Sequence, residues 1–256
     1  MSTSPRTAVI LAAGVGLRLR GVYEGAPKGL IEVGRETLIG RSVRLLEEHG
    51  IRQIIVVAGY KADAYERFAT GRPALEIVYN DRFTRTGSLM SLAVAMPRIE
   101  ESHFLLLESD IFYEARALDA LIASKHDNIV LGSQQTGAGD EVWVTEKEGR
   151  IVNLSKDVSG SESRSTEFVG VNKVSKALAQ DMASLVEGTP SENTDSLSYE
   201  TDGFVRLASR HPIHLSLIPD LLWGEIDDES QLIRVRNRVA PIVLKREERL
   251  RQSALR

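Results

Sequence analysis

Short apolar runs alternate with amphipathic segments along the first 132 residues of the chain. Ala8–Leu11 reads as a buried strand. After a loop, Ile39, Val43 and Leu46 recur at i, i+4, i+7, the stripe of a helix that ends at Gly50. Ile54–Val57 is a second strand, followed by a helical pattern over Ala62–Ala69. Leu75–Tyr79 is a third strand, followed by a helix over Ser88–Met96. Phe104–Leu107 is a fourth, followed by a helix over Glu114–Ala123 and the run Ile129–Leu131. Strands apolar on both faces, separated by helices of 10–15 residues, predict a parallel sheet covered on both sides.

Beyond Gly132 the rhythm changes. Glu141–Thr145, Arg150–Leu154 and Phe168–Val174 read as strands without intervening helices, and the composition of Ser159–Thr166 predicts a mobile loop. Helices resume at Ser175–Val186 and Ser196–Ser209, with a loop over Thr189–Asn193 between them. A strand over Ile213–Leu217 and the stretch Trp223–Ile226 come next. Asp228 then caps a helix carrying Leu232, Val235 and Val239 at i, i+3, i+7. There is no internal repeat and no extended linker. The expected organisation is one α/β domain: a nucleotide-binding half over 7–132, an acceptor and metal half over 133–240, and a C-terminal helix over 241–256.

Composition narrows the class. With 256 residues, 42% apolar and 27% charged, the chain can bury a core without covalent staples, and cysteine is absent, excluding disulfides, thiolate metal sites and cysteine nucleophiles. No run approaches the ~20 apolar residues of a membrane helix, and the start Met1–Arg6 lacks a secretory pattern, so a cytoplasmic location away from membranes is expected. The net charge of −4 argues against a nucleic-acid-coating surface and leaves room for a local anion site.

That site begins at Leu11–Arg18 (Leu-Ala-Ala-Gly-Val-Gly-Leu-Arg), directly after the first strand. Small residues there let backbone N–H groups approach a phosphate chain. A dinucleotide fingerprint wants glycine at position 19, where Leu19 stands, and an acid after the second strand, where Ala58-Gly59 stands. A P-loop fails on the spacing before Lys28. What fits is a small-residue loop, then Arg18, then Pro27-Lys28-Gly29-Leu30 after a gap, although a lone Gly-x-Gly is equally a plain turn.

Leu-Ala-Ala-Gly-x-Gly-x-Arg followed by Pro-Lys resembles the signature of nucleotidyltransferases that join an NTP to a phosphorylated acceptor. Further segments resemble the 2-aminoethylphosphonate cytidylyltransferases, with phosphocholine cytidylyltransferases as near relatives. These are Thr86-Gly87-Ser88, Leu107-Glu108-Ser109-Asp110, Gly139-Asp140-Glu141-Val142, Leu154-Ser155-Lys156, Tyr199-Glu200 and Trp223-Gly224-Glu225-Ile226-Asp227. The resemblance spans residues 7 to 240. It implies an α/β fold with a mostly parallel, Rossmann-like sheet of the nucleotidyltransferase type and a small β-rich elaboration on the acceptor side. The implied reaction is Mg2+-dependent cytidylyl transfer from CTP to 2-aminoethylphosphonate, in phosphonate tailoring of cell-surface molecules.

Carried onto this chain, the resemblance makes Asp110 and Asp227 the Mg2+ ligands. They are 117 residues apart, and magnesium favours one or two carboxylates plus phosphates and water. Asp110 follows a strand, where open α/β sheets bind ligands. Either Asp227 or Asp228 suits the following helix as its cap. Arg18 and Lys28 would neutralise the triphosphate in a reaction that needs positioning and charge stabilisation rather than a protein nucleophile. Leu11, Ala12, Ala13, Gly14, Gly16, Gly59, Thr86, Gly87, Ser88 and Ser109 would complete the nucleotide site, Ser88 being on spacing alone equally a helix cap.

Lys156 would hold the acceptor's anionic end. Asp140, Glu141 and Glu200, with Tyr199, would hold its ammonium, since scattered aromatics offer no cage for a quaternary amine. Read singly, Lys156 and Glu141 are equally solvated residues and Tyr199 a core residue. His211 and His214 lack further ligands and read as strand-end or surface residues, and Lys245–Arg251 reads as a solvated helix suited to a homodimer contact. Other readings are a phosphocholine or sugar-1-phosphate nucleotidyltransferase, a non-catalytic nucleotide-binding regulator, and a dinucleotide oxidoreductase, the last weakened by Leu19.

Overall fold

The computed structural model describes residues 4–19, 26–157, 166–187 and 197–254. Strand β1 (Thr7–Ala12) is buried along its whole length. A small hairpin, β2 (Glu32–Val33) and β3 (Glu36–Thr37), leads into helix α1 (Leu38–Glu48), whose first turn is capped by the Thr37 hydroxyl accepting from the Gly40 N–H at 3.0 Å. Strand β4 (Gln53–Ala58), α2 (Ala62–Ala69), β5 (Leu75–Tyr79), α3 (Ser88–Ala95) and β6 (His103–Glu108) continue the alternation. Then come β7 (Ile111–Tyr113), α4 (Arg116–Ala123), β8 (Ile129–Ser133), β9 (Trp143–Lys147), β10 (Arg150–Ser155), β11 (Glu167–Ser175) and α5 (Lys176–Glu187). A π-turn over Tyr199–Phe204, α6 (Val205–Leu207), β12 (His214–Leu217), β13 (Trp223–Glu225), α7 (Glu229–Arg234), a second π-turn over Val235–Val239 and α8 (Ala240–Ala254) close the described chain.

Among the described residues nine strands form one sheet in the order β5-β4-β1-β6-β11-β8-β12-β10-β9. The block β5-β4-β1-β6 is parallel, as the apolar runs predict. Alternate residues of these strands feed cores on opposite faces. Ile10, Val56 and Leu107 pack with Ile39, Val43 and Leu46 of α1, while Val9, Ile55 and Leu106 pack with α3 and α5.

The second half joins the same sheet in another style. β11 lies antiparallel between β6 and β8, and β10 is antiparallel to both β12 and β9. The sheet is therefore mixed: its continuous parallel block lies in the first half, and the second half adds one further parallel pair, β12 with β8. A separate two-stranded ribbon pairs β13 with β7, placing Glu225 opposite Ile111. Together with the Ile226 N–H donating to the Asp110 carbonyl at 3.0 Å, it joins two segments far apart in the chain.

Some expected boundaries move for identifiable reasons. The helix expected from Glu114 starts at Arg116, because Ile111–Tyr113 is drawn into the ribbon and Glu114 binds the Leu222 N–H, Arg116 and Arg246. The strand expected from Glu141 starts at Trp143, the Glu141 carboxylate having turned back onto nearby N–H groups. The described part of Ser196–Ser209 is a π-turn and one short helix, with the Ser198 hydroxyl accepting from the Thr201 N–H at 3.1 Å. The Thr189–Asn193 loop and nearly all of the expected Ser159–Thr166 loop lie outside the described residues. The C-terminal helix is not wholly solvated: Arg246 binds Glu114 at 2.7 Å and Glu247 binds the buried Arg41. Among the described residues no helix is long and apolar enough to cross a membrane.

Candidate active site

The four parallel strands end on the same side, and a cleft of about 340 Å3 opens beyond their carboxyl ends. Leu11–Gly14, the continuation of β1, form one wall. Asn80, Phe83, Thr86, Gly87, Ser88 and Ser91, from the end of β5 to α3, form another. Glu108, Ser109 and Asp110 extend β6 into the cleft, and the ribbon strand β13 brings Glu225 and Asp227 to face them.

Lys28 lies in a short 3-10 turn over Lys28–Leu30. Its side chain crosses Gly16, whose φ of +62° favours glycine and whose missing Cβ would sit 2.8 Å from Lys28 Cγ. The Lys28 ammonium lies 3.1 Å from Asp110 Oδ2 and binds Asp227 as well, so these two acids meet at one cation. Arg18 binds Asp227 and reaches Asp140 at 3.4 Å. The Asp227 N–H donates to Gln231 Oε1 at 2.6 Å, and Gln231 Nε2 donates to Asp140 Oδ1 at 2.8 Å. Asp228 takes the capping role, accepting from the Gln231 N–H at 2.9 Å.

A hard divalent cation fits the donor set, which is entirely carboxylate oxygen. Besides Asp110 and Asp227, one oxygen from each of Glu108, Asp110 and Glu225 lies within 4.8 Å of the others. Asp110 belongs to both groupings. The crowding marks itself on the acids. Burial pushes the Glu108 carboxyl well above its ordinary range, with Glu225, Glu200 and Asp110 adding repulsion and the Tyr199 hydroxyl opposing it. Burial and then Asp110 push Glu225 up to about 7, and burial also raises Glu200.

A smaller chamber of about 50 Å3 shares the wall Glu108, Glu200 and Glu225 with the cleft. Asp140, Glu141, Lys156, Glu167 and Arg234 also line it. Glu141 is held by N–H groups of its own loop. Glu167 accepts from the Thr136 N–H at 2.5 Å and the Thr136 hydroxyl at 2.9 Å.

Leu11, Ala12, Ala13, Gly14, Lys28, Thr86, Gly87, Ser88, Ser109, Asp110 and Asp227 thus share the large cleft, Asp140, Glu141 and Lys156 the chamber, and Glu200 both. Three expectations need correction. Tyr199 lines neither space: its ring is buried in the core and its hydroxyl donates to Glu108 Oε1 at 2.7 Å, so it positions an acid. Ser88 is no helix cap, a place Gly87 takes; its hydroxyl accepts from the Tyr199 N–H at 3.1 Å and reaches Glu200 at 3.4 Å. Gly59 sits under the cleft, where a Cβ would meet Phe83 at 2.7 Å and the Ala13 carbonyl at 2.8 Å. His211 binds Asp181 at 2.8 Å and His214 stacks on His126.

The sequence reading missed Glu108, Glu225, Asn80, Glu167 and Arg234. Glu108 and Glu225 stand inside quoted motifs and end strands of apolar residues, the available signal; Glu167 and Arg234 carry none.

Residues 8–197 match the model of the MobA-like NTP transferase domain. The chain is 26% identical over 177 residues to the 2-aminoethylphosphonate cytidylyltransferase of Lancefieldella rimae, covering 69% of this chain and 70% of that protein. It is 30% identical over 105 residues to the choline-phosphate cytidylyltransferase of Streptococcus pneumoniae, a match covering 41% of this chain and only 45% of that protein. Among solved structures, the inositol-1-phosphate CTP transferase from T. maritima superposes with a TM-score of 0.79 at 22% identity, covering 96% and 97% of the two chains. That likeness establishes the nucleotidyltransferase fold. The signature loop, the paired aspartates and the match over most of the chain agree, and the chain belongs to the MobA-like NTP transferase family.

Proposed function

We propose that this protein transfers a cytidylyl group from CTP to a small acceptor bearing a primary amine and a phosphonate or phosphate, with 2-aminoethylphosphonate as the leading candidate. An acceptor oxygen attacks the α-phosphorus, the bond from that phosphorus to the bridging oxygen of the β-phosphate breaks, and pyrophosphate leaves. CMP-aminoethylphosphonate is the other product. The observation that carries the reading is the shared wall: the larger cleft holds Lys28 and the paired aspartates, and directly behind Glu108, Glu200 and Glu225 lies an acid-lined chamber.

The chemistry of this chain's own residues follows from charge. Leu11–Gly14 present a short backbone loop where a triphosphate chain needs N–H groups. Lys28 and Arg18 supply positive charge where two anions must approach and where negative charge builds on the leaving pyrophosphate. Mg2+ held by Asp110 and Asp227 would add charge neutralisation and a template for the reacting oxygens. Thr86, Gly87 and Ser88 stand where a compact pyrimidine can be read by hydroxyl and backbone groups. In the chamber Asp140, Glu141 and Glu200 offer hydrogen-bond acceptors to a primary ammonium. Among the described lining residues the aromatics are Phe168 and Trp223, against six acids, a balance that suits a primary ammonium better than a quaternary amine. The cytidylyltransferases among the relatives support the same chemistry.

The test is pyrophosphate release with CTP and Mg2+ across 2-aminoethylphosphonate, phosphoethanolamine, phosphocholine and glucose 1-phosphate. The reading expects the first or second to be preferred. Preference for phosphocholine would move the reading to a quaternary amine, activity with the sugar phosphate alone would overturn the acceptor, and CTP binding without any transfer would favour a regulator.

A further inference from the structure

Arg234, on α7, lines the small chamber, and its Nε and Nη2 atoms are buried with no hydrogen-bond partner among the described residues. These two nitrogens are one edge of the guanidinium, the side-on fork that meets two oxygens of a single carboxylate or phosphoryl group. Leaving both donors unpaired in a buried setting is costly unless a ligand completes them. The nearby acid Glu167 does not complete them: although the Arg234 charge acts on it, both its oxygens are taken by Thr136. Gly224 gives the guanidinium room to lie against β13, since a Cβ there would lie 2.9 Å from Arg234 Nη2 and 2.7 Å from Val235 Cγ2.

The chamber is otherwise acidic, and an anion entering it needs cations. Among the described residues lining it, Lys156 and Arg234 are the cations. A phosphonate that attacks through one oxygen leaves two for the protein to hold, the number the open edge can take. We infer that Arg234 binds the two non-reacting oxygens of the acceptor's phosphonate or phosphate through its Nε–Nη2 edge, with Lys156 as the second cation. This assignment rests on the cytidylyl-transfer reading for its ligand and on the open guanidinium edge for its place.

The experiment pairs kinetics with a binding readout. Arg234→Lys keeps the charge and loses the fork; Arg234→Gln loses both. KM for 2-aminoethylphosphonate should rise about tenfold in the first and about tenfold to a hundredfold in the second, the range of one or two charge-assisted hydrogen bonds. KM for CTP should stay within about twofold of wild type under the same convention. An unchanged acceptor KM in Arg234→Gln, or a parallel rise for CTP, overturns the assignment. Should the variants fold poorly, wild-type protein suffices: the Nε–H resonance of Arg234 is followed while methylphosphonate, and separately acetate, is added without CTP. A shift saturating with methylphosphonate supports the phosphoryl site, and no shift, or a shift with acetate alone, overturns it. If wild type transfers to no amino-phosphonate or amino-phosphate, the functional reading falls, and this titration still decides the anion site by itself.

Discussion

The two cavities that meet at Glu108, Glu200 and Glu225 handle charge in opposite ways. In the large cleft the charges already have partners inside the protein: Lys28 lies between Asp110 and Asp227, and Arg18 bridges Asp227 and Asp140. The acids of the shared wall, Glu108, Glu200 and Glu225, are held above their ordinary ionisation range, and in the chamber Arg234 keeps a guanidinium edge unpaired. A paired site keeps its geometry before substrate arrives, which suits a reaction that depends on positioned charge. An unpaired one gains most from the particular ligand that completes it, which suits selection. On the proposed reading, the contrast gives turnover to the first cavity and acceptor choice to the second.

The strongest way to break that contrast is to remove Lys28. Lys28→Met should lower kcat by about a hundredfold to a thousandfold, the range seen when a preorganised stabilising group is lost. The melting temperature should fall by only about a few degrees, because Arg18 still pairs with Asp227. Turnover measured beside thermal melts checks both halves. A collapse in stability that accounts for the whole activity loss would make Lys28 a structural residue and erase the distinction between the cavities.

A smaller effect sharpens it from the other side. Glu141 lines the chamber and not the cleft, and one of its buried oxygens has no hydrogen-bond partner among the described residues. Glu141→Gln keeps the shape and deletes the charge. KM for 2-aminoethylphosphonate should rise about tenfold, matching the loss of one charge-assisted contact, with KM for CTP unmoved. Steady-state kinetics varying each substrate in turn separates the outcomes. Equal effects on both substrates would mean that the two spaces act as one.

The same division explains how far the sequence could be read. The cleft is built where apolar runs end: Ala12, Ala58, Tyr79 and Glu108 terminate parallel strands, so the loops after them announce themselves in the pattern. Asp110 stood in a motif beside such a run, and Lys28 in the Pro27–Leu30 motif that follows the first loop after a gap. In the chamber Asp140, Glu141, Lys156 and Glu200 also stood in motifs, but Glu167 and Arg234 left no such trace. Glu167 opens β11, a strand that inserts antiparallel between β6 and β8, and a run of apolar residues does not encode which neighbours a strand will take. Arg234 faces the chamber because α7 follows the β7–β13 ribbon, a pairing across more than a hundred residues. Tyr199 was assigned to the acceptor for its place in a motif, yet a buried tyrosine with a hydroxyl to satisfy settles on the nearest carboxylate, here Glu108.

The finest probe is Glu167, because it reports the chamber's polarity without touching Asp110 or Asp227. Only 3% of its surface is exposed, and burial pushes its carboxyl up to about 7, with Glu141 adding repulsion and Arg234 and Thr136 opposing it. The folded protein therefore holds a proton there that the unfolded chain, titrating near 4.5, has released. Stability from this group is greatest below that lower value, declines as pH rises towards 7 and is flat above. Glu167→Gln removes the slope. Relative to wild type, the variant should gain about 2–3 kcal/mol between pH 5 and pH 8, or about 5–10 °C in melting temperature. Glu225, Glu200 and Glu108 titrate in both proteins and largely cancel in the difference. Parallel melting curves across that range would mean that Glu167 is ionised throughout, and the chamber would then be as fully charged as the cleft.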